Sequence, residues 1–570
     1  MQRQPFKPPE YGTYINYQRV FCQKARDSDI EQFLSDIPLD QALRFFCGVG
    51  IMVSNFQGSS FFDFQKGVVR ELSAGNPYAT RIVDMLVPQN TFITAEQMAV
   101  LQKFAIQYCK PEGSPLPSDF TDRLLRVMLA YNSLRGLEGV DLTDTKSAAL
   151  TVELRNTFST KENVAFLIDL YWRFFKWAQT DVAKANKHYL DANADFAQFY
   201  GLTYPEYAAA AFMFFSYYQQ IYSVADLQRY NPFLDIDTFF KPLSNQEPAR
   251  KWLALNTMPI DDAKAQFEGR STLRYSGLSL EALLERPFIS VQPNVIFPPH
   301  PPFLENKIGG GLFFALLDGY NKADGGDRTR SKRFTQFFAD FFEQRCVDMA
   351  KKAHRTPQFV FGEQPYGKGS KSTDLVIIEG ENAVFIDIAT ARLTMKTTLV
   401  ELDRDSITKD IRKIVGNAKQ MTGAIAAFRS GKFVYRDDDG NTIDPGRLKR
   451  IYPAALIIAS VPRFFAFNKM IFDAIKAEGY LHGCEQFELF SAEDFDLLMR
   501  LCRAGCLVSD VLARKLNQPV PWITMSSFKN YLAIYDHPLR DRANSVQWPG
   551  LGEVWYDEII TTTRSWGLSA

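Results

Sequence analysis

The sequence is 570 residues long, too long for one hydrophobic core, and its length predicts about three domains. Hydrophobic residues make up 46% and aromatic residues 14% of it, so the chain buries substantial cores and is not intrinsically disordered. Lys and Arg together number 65, as do Asp and Glu, and this neutral balance gives no global sign of a polyanionic partner. A local basic stripe would still suffice to bind one.

Cysteine and histidine usage excludes several kinds of site. The seven cysteines are scattered without a CxxC pair, and the five histidines stand far apart. This distribution argues against a zinc site, a disulfide framework and histidine-based hydrolysis, and it predicts a reducing, cytoplasmic setting. The N-terminal residues lack the apolar core of a signal peptide.

Helical periodicity dominates the first 225 residues. It predicts the helices Leu39–Val53, Ala95–Tyr108, Ser118–Tyr131, Thr145–Thr157, Thr160–Thr180, Val182–Tyr200 and Pro205–Val224. The stretch from Tyr207 to Ala225 carries no formal charge, but its Gln and Tyr content predicts a central core helix and no membrane span. We therefore predict an aromatic-rich all-α domain over residues 1–305, which would also offer surface to protein partners.

The proline cluster at residues 298–302 marks the clearest domain boundary. We predict that an α/β domain follows over residues 306–465. Further helical patterns (Lys469–Glu478, Ala492–Ala504 and Ser509–Leu516) predict that residues 466–570 form a helical extension packed on it.

The α/β domain opens with a helix and a short strand. Aromatic residues at helical spacing predict a helix over Ser331–Ala353, which carries Glu343. A short strand is predicted over Gln358–Phe361, and it leads into Gly362 and Glu363.

A β-hairpin follows and carries two acids. The apolar runs Leu375–Ile378 and Ala383–Ile388 flank the turn-forming sequence Glu-Gly-Glu-Asn. If the two central turn residues are 380 and 381, cross-strand partners have numbers that sum to 761. Asp374 then lies directly opposite Asp387, and both side chains point to the same face.

Two carboxylates in this arrangement have Cβ atoms about 5 Å apart. Like charges that close raise a pKa or recruit a cation. Carboxylate oxygens are the ligands that Mg²⁺ and Mn²⁺ prefer, so the pair predicts a metal site for phosphoryl chemistry. The alternative is that both acids are simply solvated at the end of a sheet.

Downstream of the hairpin the pattern returns to a helix and then a buried strand. A helix is predicted over Ser406–Phe428 and a fully buried strand over Ala454–Val461. The complete element order is therefore α-β-β-β-α-β.

This order, with an Asp on the second strand and an acid near the end of the third, resembles the PD-(D/E)XK superfamily of restriction-endonuclease-like nucleases. The resemblance spans residues 331–465 and implies a mixed-sheet nuclease fold that uses Mg²⁺. By position, Asp374 matches the motif Asp, Asp387 the D/E, and Glu343 the acid that some members carry on the first helix. Lys419 and Gln420 match a polar position on the helix after the third strand.

One position departs from the family pattern. The motif lysine, two residues after Asp387, is Ala389 in this chain. A positive charge beside the phosphate lowers the barrier electrostatically, so another basic residue would have to replace it. Lys371, Arg392, Lys413 and Lys419 are the candidates. Without a replacement the domain would be an inactive relic that binds nucleic acid or protein, and an unrelated α/β fold is a third alternative.

The loop after the first strand offers two further candidates. Glu363 is a possible third metal ligand, although a solvated turn acid is the alternative. Tyr366, Lys368 and Lys371 precede Asp374 and could contact a phosphate backbone. The resemblance therefore implies a Mg²⁺-dependent endonuclease that acts on DNA, of the kind found in bacterial restriction and anti-phage defence.

Overall fold

The structure is a computed structural model. It describes residues 13–55, 59–72, 77–87, 90–135, 164–219, 230–269, 274–275, 280–356, 359–366, 371–389, 404–436, 439–458, 465–548 and 552–568. The predicted helix Thr145–Thr157 and two of the predicted basic residues, Lys368 and Arg392, lie outside these ranges. Within them, no helix is long and apolar enough to cross a membrane.

The chain forms two compact units. Unit 1 comprises residues 1–140, 202–311 and 557–570, and unit 2 comprises residues 141–201 and 312–556. The change near residue 311 lies close to the predicted boundary at 305. The segment up to residue 201 belongs to unit 2 because the aromatic face of its helix Val164–Trp177 packs on that of Thr329–Ala353, with the Phe174 and Phe338 rings 5.0 Å apart.

Unit 1 is largely helical, as predicted. Its helices are Tyr17–Phe21, Asp27–Leu34, Leu39–Asn55, Ser59–Leu72, Pro77–Met85, Ala95–Tyr108, Phe120–Leu134, Tyr204–Tyr218, Ile236–Phe240, Glu247–Asn256, Ile260–Gly269, Glu281–Glu285, Pro302–Ile308 and most of Glu553–Ser565. Helix Ala95–Tyr108 has the predicted bounds because Thr94 and Gln97 form a capping box at its start.

The prediction that residues 1–305 are all helical is wrong in detail. Two short parallel strands, Thr13–Tyr14 and Asn90–Thr91, pair with each other. A second sheet has the spatial order Leu234–Asp235, Val295–Phe297, Phe288–Gln292 and Thr257–Pro259. Its central hairpin forms because two short β-branched and aromatic runs flank the turn at residues 293–294.

Unit 2 contains a five-stranded mixed sheet. Its strands are β1 (Val360–Gly362), β2 (Leu375–Glu379), β3 (Asn382–Ala389), β4 (Arg450–Ile457) and β5 (Glu488–Ser491). They lie in spatial order 5-4-3-2-1. Strands β1 to β3 form an antiparallel meander, and β4 and β5 run parallel to β3.

Two long helices accompany this sheet, α1 (Thr329–Ala353) before β1 and α2 (Arg404–Arg429) between β3 and β4. The predicted order α-β-β-β-α-β is therefore observed, and the edge strand β5 adds to it. The other helices of unit 2 are Val164–Trp177, Asp181–Lys184, Ala192–Tyr200, Gly310–Ala323, Phe465–Ala477, Ala492–Arg503, Val508–Leu516, Pro521–Thr524, Phe528–Asn530, Tyr531–Tyr535 and His537–Asn544.

The predicted helix Val182–Tyr200 is wrong, since the structure has two short helices there. Thr180 caps the first and Asp191 caps the second through side-chain oxygens. A cap side chain satisfies the free amides at a helix start, so Asp191 favours a new helix over continuation of the old one.

Helix α2 packs on the face of the sheet that carries Val376 and Phe385. Its inward residues Ile411, Ile414, Ala418, Met421 and Ile425 join those strand residues in one hydrophobic cluster. This packing decides which strand side chains lie under the helix, and the candidate site lies at the border of that face.

Candidate functional site

Three acids continue one cross-strand row of the sheet. Leu375 pairs with Ile386 on one side and with Gly362 on the other. Cross-strand partners of β2 and β3 therefore have residue numbers that sum to 761, as predicted. The next position along each of the three neighbouring strand segments is an acid: Glu363 after β1, Asp374 before β2 and Asp387 in β3. Gly380 has a φ of 64° at the first central position of the turn, which a type II′ hairpin turn requires. The turn therefore fixes the register that brings the two aspartates together.

The two aspartates are in direct contact. Their carboxyl groups share a hydrogen bond, and the Ile388 amide donates to Asp374 Oδ2 at 2.6 Å. Their exposed fractions are 9% for Asp374 and 5% for Asp387. Two carboxyls can share a hydrogen bond only if one of them carries a proton.

Burial and mutual repulsion set the protonation of this pair. Burial, followed by the charge of Asp374 and the hydrogen bond to it, raises the pKa of Asp387 to about 8. Burial also raises the pKa of Asp374, against the opposing hydrogen bond from Ile388. At neutral pH Asp387 therefore holds a proton in a place where a cation could replace it.

Helix α1 contributes Glu343 to the same cluster. The helix approaches the end of β1 closely, because a Cβ on Gly362 would lie 3.7 Å from the side chain of Val347, one turn after Glu343. Burial, followed by the charges of Asp374 and Glu363, raises the pKa of Glu343 to about 7. The four predicted ligands, Glu343, Glu363, Asp374 and Asp387, therefore lie near enough for their charges to interact.

Lys371 supplies positive charge at this cluster. Its Nζ lies 2.6 Å from Glu363 Oε2, and this hydrogen bond is the main cause of the raised pKa of the lysine. The charge of Lys371 also lowers the pKa values of Asp374 and Glu343. Its side chain is 60% exposed, which leaves the ammonium accessible to a ligand.

The segment that carries Lys371 is held on both sides of residues 367–370. The Ser372 amide donates to the Gln364 carbonyl at 2.8 Å, and the Gln364 amide donates to Ser372 Oγ at 2.8 Å. Tyr366 stacks on Phe433 with the ring centroids 4.6 Å apart and an interplanar angle of 10°. The Tyr366 ring therefore packs on an aromatic neighbour, and Lys371 is the described residue of this loop that reaches the acids.

The other candidate basic residues lie elsewhere. Ala389, at the position of the family lysine, packs against the cluster under α2. Lys413 pairs with the buried Asp410 at 3.0 Å. Lys419 and Gln420 are exposed on α2, on the side away from its buried residues Ala418 and Met421.

The donor set suits a hard cation. The candidate donors are carboxylate oxygens from three neighbouring strand segments and one helix. Such oxygens are the ligands that Mg²⁺ and Mn²⁺ prefer, and they do not suit a soft metal. Within the described ranges, no three His, Cys, Asp or Glu side chains are arranged closely enough to hold a metal ion. The raised pKa of Asp387 keeps a proton on that carboxyl at neutral pH, and Glu363 forms a salt bridge with Lys371.

The sequence contained the signal for Glu363 only indirectly. Its place in the row depends on the register of β1 with β2, in which partner numbers sum to 737. The connection between the two strands, residues 363–374, is too long for its length to fix the register from the sequence, as the two-residue turn does between β2 and β3.

Comparisons with protein-family models, with curated proteins and with solved structures gave no significant match. The nuclease resemblance therefore depends on the element order and on the acids themselves.

Proposed function

We propose that this protein is a Mg²⁺-dependent nucleic-acid phosphodiesterase that cleaves within the chain of its substrate. The observation that carries the proposal is the buried, hydrogen-bonded pair Asp374 and Asp387 at the end of strands β2 and β3. Burying two like charges costs folding free energy, so packing alone gives no reason for the pair. The similar order of elements in PD-(D/E)XK nucleases supports the proposal, and a role in restriction or anti-phage defence rests on that resemblance alone.

Each residue of the cluster has a role in this proposal. Asp374 and Asp387 hold the cation, and Glu363 and Glu343 complete its oxygen ligands. The Ile388 amide fixes the orientation of the Asp374 carboxylate through their 2.6 Å hydrogen bond. Bound there, Mg²⁺ would act as a Lewis acid on the phosphate and lower the pKa of a water molecule.

Lys371 takes the place of the missing motif lysine. It precedes Asp374 by three residues and contacts Glu363, so its ammonium lies at the edge of the carboxylate cluster. In the proposed reaction it contacts a non-bridging oxygen of the scissile phosphate. There it stabilises the negative charge that develops in the transition state.

A nuclease assay tests the proposal. Plasmid, single-stranded DNA and RNA are incubated with the wild type, Asp387→Ala and the control Asp348→Ala, with Mg²⁺ or Mn²⁺ and with EDTA. Asp348 is exposed on α1, away from its buried face. We expect cleavage by the wild type and the control, and its loss in Asp387→Ala and in EDTA. Equal cleavage by Asp387→Ala and the wild type would contradict the proposed role of the pair.

A second candidate function is a non-cleaving nucleic-acid or protein interaction module. Ala389 favours it, because the motif lysine of the family is absent and the alanine side chain is used for packing. Binding without cleavage of any of these substrates, with either cation, would support this candidate over the first.

A further inference from the structure

The exposed face of α2 is strongly basic. Lys409, Arg412, Lys413 and Lys419 lie at helical spacing and are all exposed. They fall within an arc of about 120° on the helix, because successive residues advance by about 100°. We refer to these four residues as the α2 stripe.

Within residues 408–429, the part of the helix whose side chains the structure describes, no exposed acid balances the α2 stripe. Between residues 408 and 429 the one acid is Asp410, whose side chain is 3% exposed and pairs with Lys413. Among the described residues, Lys409, Arg412 and Lys419 form no salt bridge. The net charge of this face therefore stands out in a chain whose total formal charge is zero, and it complements a polyanion.

Two glycines lie between the charges on the same face. A Cβ on Gly416 or on Gly423 would meet no atom within 4 Å, so no contact inside the described protein requires a glycine there. Glycine in a helix interior costs about 1 kcal/mol relative to alanine. Their effect on the surface is to leave the helix backbone open to close approach by a ligand.

The stripe has the dimensions of a short piece of duplex. From Lys409 to Gly423 the helix rises about 21 Å, which corresponds to about six base pairs at 3.4 Å each. The stripe and the glycines between its members include no aromatic side chain, whereas sites for single strands use aromatic residues to stack bases.

We infer that the α2 stripe binds the phosphodiester backbone of double-stranded DNA. The inference deepens the proposed function and rests on it for the chemistry at the carboxylates. It also assigns a different role to Lys419 and Gln420, which the family resemblance placed in catalysis. Both residues point outward beside Gly416 and Gly423 and contact the DNA backbone away from the reacting phosphate.

The stripe and the carboxylates belong to one continuous structure. The buried side of α2 packs on the sheet face that bears Val376 and Phe385, each two residues from an aspartate of the pair. Ala389, two residues after Asp387, packs against the same cluster. DNA that lies along α2 is therefore bound by the element next to the proposed cleavage site.

Binding can be measured separately from cleavage. We would titrate a labelled 20-base-pair duplex with full-length Asp387→Asn in EDTA at several salt concentrations. In that background, Lys409→Gln, Arg412→Gln and Lys419→Gln are combined. The matched control combines Lys351→Gln, Lys352→Gln and Lys476→Gln, three exposed residues on other helices that remove the same charge.

The expected result is quantitative. Each lost phosphate contact lowers the slope of log K against log salt by about 0.9 and affinity at 0.1 M salt by about tenfold. The stripe variant should therefore bind at least about 100-fold more weakly, with a slope smaller by about 3 units. Equal binding by the stripe variant and the control would overturn the inference.

A single substitution provides a second test without risk to the fold. Gly416→Glu places a good helix former where there is open space, so the helix should not be weakened. It introduces a negative charge at the centre of the stripe, and we expect binding at least about tenfold weaker. Unchanged binding by this folded variant would also overturn the inference.

The outcomes separate the inference from the proposed function. Cleavage that needs Asp387 but is unaffected by the stripe variants would leave the proposed function intact and refute the stripe. Duplex binding that needs the stripe, in a wild type that never cleaves, would support the stripe and refute the proposed function. Tighter stripe-dependent binding of single-stranded DNA or RNA than of duplex would refute the assignment to double-stranded DNA.

Discussion

The proposed metal site should reduce the stability of the protein when no cation is bound. In the folded state the pKa of Asp387 is about 8, against an ordinary value of 3.8. A carboxyl with a raised pKa binds its proton more tightly when folded. The stability of the protein therefore falls as pH rises from about 4 to about 8. Asn at position 387 cannot ionise, so Asp387→Asn should remove this loss.

The size of the effect follows from the same two values. At about 1.4 kcal/mol per pH unit, the difference corresponds to about 6 kcal/mol as an upper limit. Water entry and relaxation around buried charges reduce such costs substantially. We therefore expect Asp387→Asn to be more stable than the wild type by about 2 to 3 kcal/mol at pH 8.5. At pH 4 the two proteins should be equal to within about 0.5 kcal/mol, since Asp387 is then protonated in the folded state and still partly protonated in the unfolded state.

Calorimetric unfolding in EDTA at the two pH values measures the difference. For a unit of this size, 2 to 3 kcal/mol corresponds to a rise of about 3 to 5 °C in the midpoint. The control is Asp348→Asn, at an exposed position of α1, which should show no such rise. An Asp387→Asn protein no more stable than the wild type at pH 8.5 would refute the electrostatic reasoning.

Adding Mg²⁺ extends the same experiment. At 10 mM, a site with a dissociation constant near 1 mM stabilises the folded state by about 1.4 kcal/mol. We expect this increase in the wild type and in Asp348→Asn, and its absence in Asp387→Asn. An equal increase in all three proteins would place the bound cation elsewhere.

Three further predictions concern single positions. Lys371→Ala should lower kcat at least about 100-fold with little change in KM, and Lys371→Arg should recover part of it; steady-state cleavage rates measure both. Lys515→Met should destabilise the protein by about 3 to 5 kcal/mol in chemical denaturation, because Lys515 is fully buried and its 2.6 Å partner Glu488 would lose its counter-charge. Gly319→Ala should lower the thermal midpoint, since the added Cβ would overlap the ring of Phe199, whereas a variant of unchanged midpoint would show that the ring can move away.

The hairpin could be predicted from the sequence because its determinants are local. Gly380 in a two-residue turn fixes the register, and the register alone places Asp374 opposite Asp387. The capping pair Thr94 and Gln97 fixed a helix start in the same way. In both of these places neighbouring residues decide the structure, and the prediction was confirmed.

The exposure of Lys419 and Gln420 could have been predicted too. The inward residues Ala418 and Met421 define the buried face of α2, and the two residues between them must point away from the sheet. The family resemblance predicted a role for Lys419 and Gln420 from their position in the chain, without regard to the side of the helix on which they lie. A helical projection of the same sequence would have placed both residues beside the basic surface.

Long-range pairings could not be predicted. The contact of Phe174 with Phe338 joins residues 164 positions apart, and many aromatic stripes in this chain would have served equally well as partners. The edge strand β5 is four residues long, and its pairing with β4 depends on tertiary context. Such choices are decided by packing between distant elements, which periodicity does not encode.

The charges of the α2 stripe and of the carboxylate cluster act in opposite directions on a phosphate backbone. The stripe attracts it, whereas Glu343, Glu363, Asp374 and Asp387 together outweigh the charge of Lys371, the described cation that contacts this cluster. As pH rises above the raised pKa values of the cluster, the acids lose their protons and repel phosphate more strongly. DNA bound along α2 would therefore approach the acids closely only when a divalent cation neutralises them. Under the proposed function, the cation is thus required for the substrate to reach the site as well as for the chemistry performed there.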